Sequence, residues 1–159
     1  MKKSDIKILV VDDEEINLLV LSKSLKKLGY SVTTTTSAIK GAEILKTEKF
    51  NLVLTDLNMP EISGLDFLLW IKKHSPQSHV IIMTAFGSKE TKEFAEQKGA
   101  LTFLEKPVNI SVLEDYIEVN IVNKGFSGNI SHINLYDFIK MITFTNAQKL
   151  ISITRPDTK

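Results

Sequence analysis

Short runs of β-branched and aliphatic residues alternate along the chain with segments whose apolar positions recur at helical spacing. The runs fall at residues 6–11, 31–35, 52–55, 80–84 and 101–104. Continuous runs of this length suit strands buried on both faces of a parallel sheet, since one-sided strands alternate apolar and polar. Between them, Ile16, Leu19, Val20 and Leu28 share one face of a predicted first helix that ends at Gly29, a residue type that closes helices by taking positive φ. A second helix is predicted from Ser37, a residue suited to capping, to Thr47. A third carries Leu65, Leu68, Leu69 and Ile71 and stops before Pro76, and a fourth runs from near Ser88 to Gly99. The fifth spans residues 110–123 and ends at Gly125. Strict alternation of five strands and five helices predicts an α/β fold, a doubly wound (βα)5 parallel sheet with helices on both faces. The expected strand order is 2-1-3-4-5, with a short C-terminal extension. Ligands of such sheets sit beyond the carboxyl ends of the strands, near the switch in strand order.

Composition narrows the function classes without altering that layout. The chain has 159 residues, 43% hydrophobic and 25% charged, enough for one ordinary domain and a short remainder. Twenty basic and 19 acidic residues leave a net charge of +1, so no global field recruits nucleic acid or an anionic membrane. The absence of cysteine removes disulfides, thiolate metal sites and sulfur redox chemistry. No apolar run approaches the roughly 20 residues of a membrane span, and a cytoplasmic location is expected.

The candidate chemistry lies at the predicted strand ends. The first strand runs into Asp12-Asp13-Glu14, and the third into Thr55-Asp56-Leu57-Asn58-Met59-Pro60 with Gly64 beyond. Taken singly, such acids serve as helix caps or turn residues. In this topology, however, strands one and three are neighbours, so Asp12, Asp13 and Asp56 crowd together. Two like charges ~4 Å apart repel by about 4 kcal/mol at an effective dielectric of ~20. A hard divalent cation removes that repulsion, and oxygen-only ligands favour Mg²⁺. It would also let a phosphoryl anion approach a carboxylate. Strand four ends in Thr84-Ala85 and strand five is followed by Lys106-Pro107. Alone, these are a strand threonine and a loop lysine. Together they supply a hydroxyl and an ammonium, the groups that bind phosphoryl oxygens. Pro107 also admits a cis Lys106–Pro107 bond.

This ordered set resembles that of bacterial response-regulator receiver domains, over residues 5–124. The resemblance rests on Asp12-Asp13, on Asp56 to Pro60 with Gly64, on Thr84-Ala85 and on Lys106-Pro107. It implies that Asp56 accepts a phosphoryl group from a phosphohistidine of a sensor histidine kinase or phosphotransfer protein. It further implies Mg²⁺ held by Asp13, Asp56 and the backbone carbonyl of Asn58, with Asp12 acting through water. Thr84, Lys106 and the Ala85 N–H would hold the phosphoryl oxygens. Thr84 and Phe103 would form the switch, which would change the face made by the fourth helix, fifth strand and fifth helix. Phe103 stands where a tyrosine is common in the family. The bland alternative is a static aromatic beneath the fourth helix. Asn58 and Phe86, each two residues past a site residue, are positions that tune the lifetime of the phosphoryl group in the family.

The expected partners are therefore a kinase or phosphotransfer protein and a downstream protein or attached output domain, with no nucleic-acid or membrane contact evident. The domain division is expected at 1–124 and 125–159. Leu135, Phe138, Ile139 and Ile142 of the second part fall at helical spacing. That part resembles the opening of PATAN-type domains. It is either the truncated start of such a domain or a complete extension that packs on the first part or on a second copy in a homodimer. Two other classes compete. A flavodoxin shares the architecture but needs a phosphate loop where Asp12, Asp13, Glu14 and Glu15 would repel phosphate. A Mg²⁺-dependent phosphohydrolase with an aspartyl-phosphate intermediate shares the chemistry, but lacks here its Asp-x-Asp pair on the first strand. A receiver is a phosphoacceptor that promotes only its own modification, not an enzyme acting on other substrates.

Overall fold

The computed structural model describes residues 2–85 and 87–122. Phe86, the end of the predicted fifth helix and the readings made for residues 125–159 lie outside the described residues. The chain divides into two compact units, Met1–Lys124 and Gly125–Lys159.

The first unit is a five-stranded parallel sheet. Its strands are β1 (Lys7–Val11), β2 (Ser31–Thr35), β3 (Leu52–Asp56), β4 (His79–Thr84) and β5 (Thr102–Glu105). Their order is β2-β1-β3-β4-β5, as the alternation of periods predicted. The crossovers are α1 (Glu15–Lys27), α2 (Ala38–Thr47), α3 (Gly64–His74) and α4 (Lys89–Gln97), and α5 (Ile110–Ile117) follows β5. Instead of continuing as one helix, α5 widens into a π-helical segment, Glu118–Val122. Ser37, Ser63 and Ser88 cap α2, α3 and α4 through their hydroxyls, and Asn109 caps α5. Each side chain accepts backbone N–H groups that have no partner inside the helix.

Period-2 alternation divides the buried strand residues between two cores. On one face Leu9, Val53, Ile82 and Phe103 pack with residues of α2, α3 and α4. On the other, Ile8, Val10, Leu54, Met83 and Leu104 pack with α1 and α5. β2 departs from the expectation of strands buried on both faces. It lies at the edge of the sheet, and among its residues only Thr35 is buried.

The expected face of α1 is also corrected. Ile16, Leu19 and Val20 are 62%, 64% and 56% exposed, whereas Leu18, Leu21 and Leu25 are buried. α1 carries two apolar stripes. At 3.6 residues per turn, Leu28, Leu21, Leu25 and Leu18 fall within an arc of about 100° measured from Asn17. Leu28 thus belongs with the buried leucines rather than with Ile16. In α3 the buried residues are Gly64, Phe67, Leu68 and Ile71. Phe67 replaces the expected Leu69, which is 43% exposed.

Candidate functional site

Parallel pairing places the acids. Val11 pairs with Thr55, so the following residues, Asp12 and Asp56, stand side by side at the carboxyl edge. Both are buried, Asp12 completely. A buried carboxylate costs several kcal/mol unless donors satisfy it, and donors surround both. Asp12 Oδ1 accepts the Glu14 N–H at 3.0 Å, and the Asn17 amide nitrogen lies 3.1 and 3.3 Å from Oδ1 and Oδ2. Asp56 Oδ2 accepts the Asn58 N–H at 2.8 Å. One oxygen of each acid converges on one cation: Lys106 Nζ is 2.7 Å from Asp12 Oδ2 and 2.5 Å from Asp56 Oδ1.

The sheet also positions Lys106. Thr84 pairs with Glu105, and the next N–H, that of Lys106, donates to the Thr84 carbonyl at 2.9 Å. The Lys106–Pro107 peptide is cis. Burial disfavours the ammonium, but hydrogen bonds and charges from Asp12 and Asp56 outweigh it and hold the Lys106 pKa above the ordinary lysine value. The site therefore contains its own counter-charge, a role that the sequence reading gave to a divalent cation alone. Lys106, assigned in the sequence to phosphoryl oxygens, is here the bridge between Asp12 and Asp56.

Thr84, fully buried, ends β4, and Ala85 is exposed just beyond it. A Cβ on Gly87 would lie 3.0 Å from Thr84 Cγ2 and 3.6 Å from Phe103 Cε1, so threonine and phenylalanine flank the same glycine. Phe103 is buried in the core cluster that includes Ala95 of α4. Gly64 has a steric role. A Cβ there would overlap the Asp56 carbonyl oxygen and approach Leu57 Cα to 2.9 Å, so only glycine lets α3 begin against the Asp56 turn. The intervening loop carries Glu61 at φ 68°, a conformation uncommon for a side-chain-bearing residue.

Asp13 and Asn58 are exposed at the mouth of the site. Among the described residues no three or more carboxylate or imidazole side chains form a ready metal cage. That arrangement still suits Mg²⁺, which keeps several waters and is bound by one or two carboxylates rather than an all-protein cage. The donor set is all oxygen. Three carboxylates against one ammonium leave two negative charges, matching a divalent cation. Asn17 is the site residue that sequence reasoning missed. Its signal was faint, an amide in the first turn of a helix five residues after a strand-end aspartate.

A family model described as the response regulator receiver domain matches residues 8–118. The chain belongs to that family. Receivers of this family are typically phosphorylated on an aspartate, and membership does not favour the phosphohydrolase alternative. The chain is 40% identical over 111 residues to the transcriptional regulatory protein GlrR of Escherichia coli (strain K12), covering 70% of this chain and 25% of that protein. It thus spans about a quarter of the length of the curated relatives it matches. Among solved structures, a response regulator receiver domain protein from Clostridium thermocellum is 36% identical, with a TM-score of 0.70 over 75% of this chain and 96% of that one. The beryllofluoride-activated NtrC4 receiver domain dimer is 37% identical, with a TM-score of 0.67 over 70% and 93%.

Proposed function

We propose that this receiver takes a phosphoryl group onto Asp56 from a phosphohistidine of a sensor histidine kinase or phosphotransfer protein in the cytoplasm. The carboxylate oxygen forms the new P–O bond, the P–N bond breaks, and the imidazole leaves with the electron pair and takes a proton from water. The observation that carries this reading is the single ammonium of Lys106 bridging buried Asp12 and Asp56. A largely buried ammonium beside the acceptor is the group an incoming phosphoryl anion requires. Asp13, Asp56 and the Asn58 carbonyl would hold Mg²⁺, with Asp12 acting through water. When bound, Mg²⁺ supplies the positive charge that offsets the crowded anions. The Thr84 hydroxyl, Lys106 and the Ala85 N–H would hold phosphoryl oxygens. A threonine drawn toward them vacates space beside Gly87, into which Phe103 turns, biasing the face of α4, β5 and α5 toward a second conformation.

The output is a downstream protein or attached domain. GlrR is named a transcriptional regulator, so the expectation of no nucleic-acid contact is limited to the receiver itself and is not extended to a longer protein. The NtrC4 dimer supports self-association on activation. Intact-mass spectrometry after incubation with Mg²⁺ and a small phosphodonor tests the assignment. One phosphoryl group is expected on the wild-type chain and none on Asp56→Asn, with unchanged far-UV circular dichroism. Full labelling of the variant would overturn it.

A further inference from the structure

Asn17 lies outside every motif that marks the site, yet its side chain is aimed at the most deeply buried carboxylate in it. A carboxylate only accepts hydrogen bonds, so the amide atom facing Asp12 is the nitrogen. That nitrogen straddles both oxygens, at 3.1 and 3.3 Å. The final torsion of an aspartate is intrinsically broad, so donors, not the residue itself, set the plane of the Asp12 carboxylate. Glu14 N–H holds Oδ1. Lys106 holds Oδ2, but it also holds Asp56, and an anion brought to Asp56 competes for the same ammonium. Asn17 is the side-chain donor to Asp12 that no other acid shares. It stands on α1, a helix anchored by buried Leu18, Leu21 and Leu25.

We propose that Asn17 is a positioning residue for cation binding. It keeps the Asp12 carboxylate in one orientation when Lys106 is drawn away. The proposal rests on reading the Asp56 site as a Mg²⁺-dependent phosphoryl acceptor. Removing a hydrogen-bond partner of a metal-binding group typically weakens affinity about 10–100-fold. Because Asp12 acts through water, the low end applies, about tenfold.

Calorimetric titration of the full chain with Mn²⁺, which takes the same oxygen ligands as Mg²⁺, reads this without any phosphorylation step. Asn17→Ala and the similarly sized Asn17→Leu are each expected to weaken Mn²⁺ binding about tenfold, with far-UV circular dichroism near wild type. Acting through Asp12, Asn17→Ala should add less than about twofold in an Asp12→Asn background. Wild-type affinity in both single variants, or a full repeat of the loss on top of Asp12→Asn, would overturn the proposal. Failure of the Asp56 reading is separately visible, as a wild-type chain that neither binds Mn²⁺ nor is labelled by a phosphodonor.

Discussion

Helices α3 and α4 cover the same face of the sheet, one leading into β4 and the other out of it, but they are held there in different ways. α3 buries Gly64, Phe67, Leu68 and Ile71. α4, with the sequence Lys-Glu-Thr-Lys-Glu-Phe-Ala-Glu-Gln, buries only Ala95. Its one large apolar residue, Phe94, is 42% exposed and lies under the Lys98 ammonium, 5.4 Å from the ring centre. Apolar burial stabilises by about 25 cal/mol per Å², so α3 is fastened by its core and α4 largely by its surroundings. Local opening concentrates where apolar contacts are few. The weakly fastened helix is also the one beside Gly87, Thr84 and Phe103. A receiver needs such an element, because a ligand shifts a conformational equilibrium only by its differential binding energy. A helix anchored like α3 would lie beyond that reach.

The two helices should differ most at their phenylalanines. Phe67→Ala should cost about 3–5 kcal/mol in urea unfolding, whereas Phe94→Ala should cost less than about 1 kcal/mol. Equal losses would mean that α4 is as firmly anchored as α3.

A smaller effect sharpens the account of what does hold α4. Lys92 Nζ lies 3.2 Å from Glu105 Oε1, linking α4 to the end of β5 across a solvent-exposed gap. A double-mutant cycle with Lys92→Ala and Glu105→Ala should give a coupling of about 0.2–1 kcal/mol that fades in high salt. A larger, salt-insensitive coupling would make this contact a main fastening of the helix.

The smallest effect concerns a place where a side chain of α3 reaches the turn after α4. Lys72 donates to the Ser78 carbonyl at 3.3 Å, and its stem lies beside Gly99, where a Cβ would be 3.1 Å from Lys72 Cε. Burial lowers the Lys72 pKa below the ordinary 10.5. The folded chain then releases this proton at lower pH than the unfolded chain. Between the lowered value and 10.5 the unfolded state binds more protons, so stability rises with pH across that window. Lys72→Met should flatten this alkaline rise in the urea midpoint, and an unchanged slope would assign the rise to other groups.

Much of this was legible in the linear chain because local rules and topology agreed. The (βα)5 alternation, the Ser37 cap and the cluster at the strand ends could all be read before the fold was known. The errors have a common cause. α1 offers two apolar stripes, and nothing local says which one meets the sheet. Phe67 was passed over for Leu69 because the hydrophobic pattern of α3 fits more than one rotation. The run at β2 read as fully buried from its residue types, although the expected order 2-1-3-4-5 already placed it at the edge of the sheet.

The same division holds at the site. By itself the sequence determined that Asp12 and Asp56 end neighbouring strands, and that Thr84 and Lys106 close the same edge. These follow from period, connection handedness and position alone. Only the tertiary structure decided how the charges are shared. Lys106 reaches back across the sheet edge to bridge both acids, and Asn17 turns toward Asp12 rather than water. These choices depend on side-chain directions set by packing across elements distant in the chain. A buried carboxylate takes whichever donors the completed fold brings within reach.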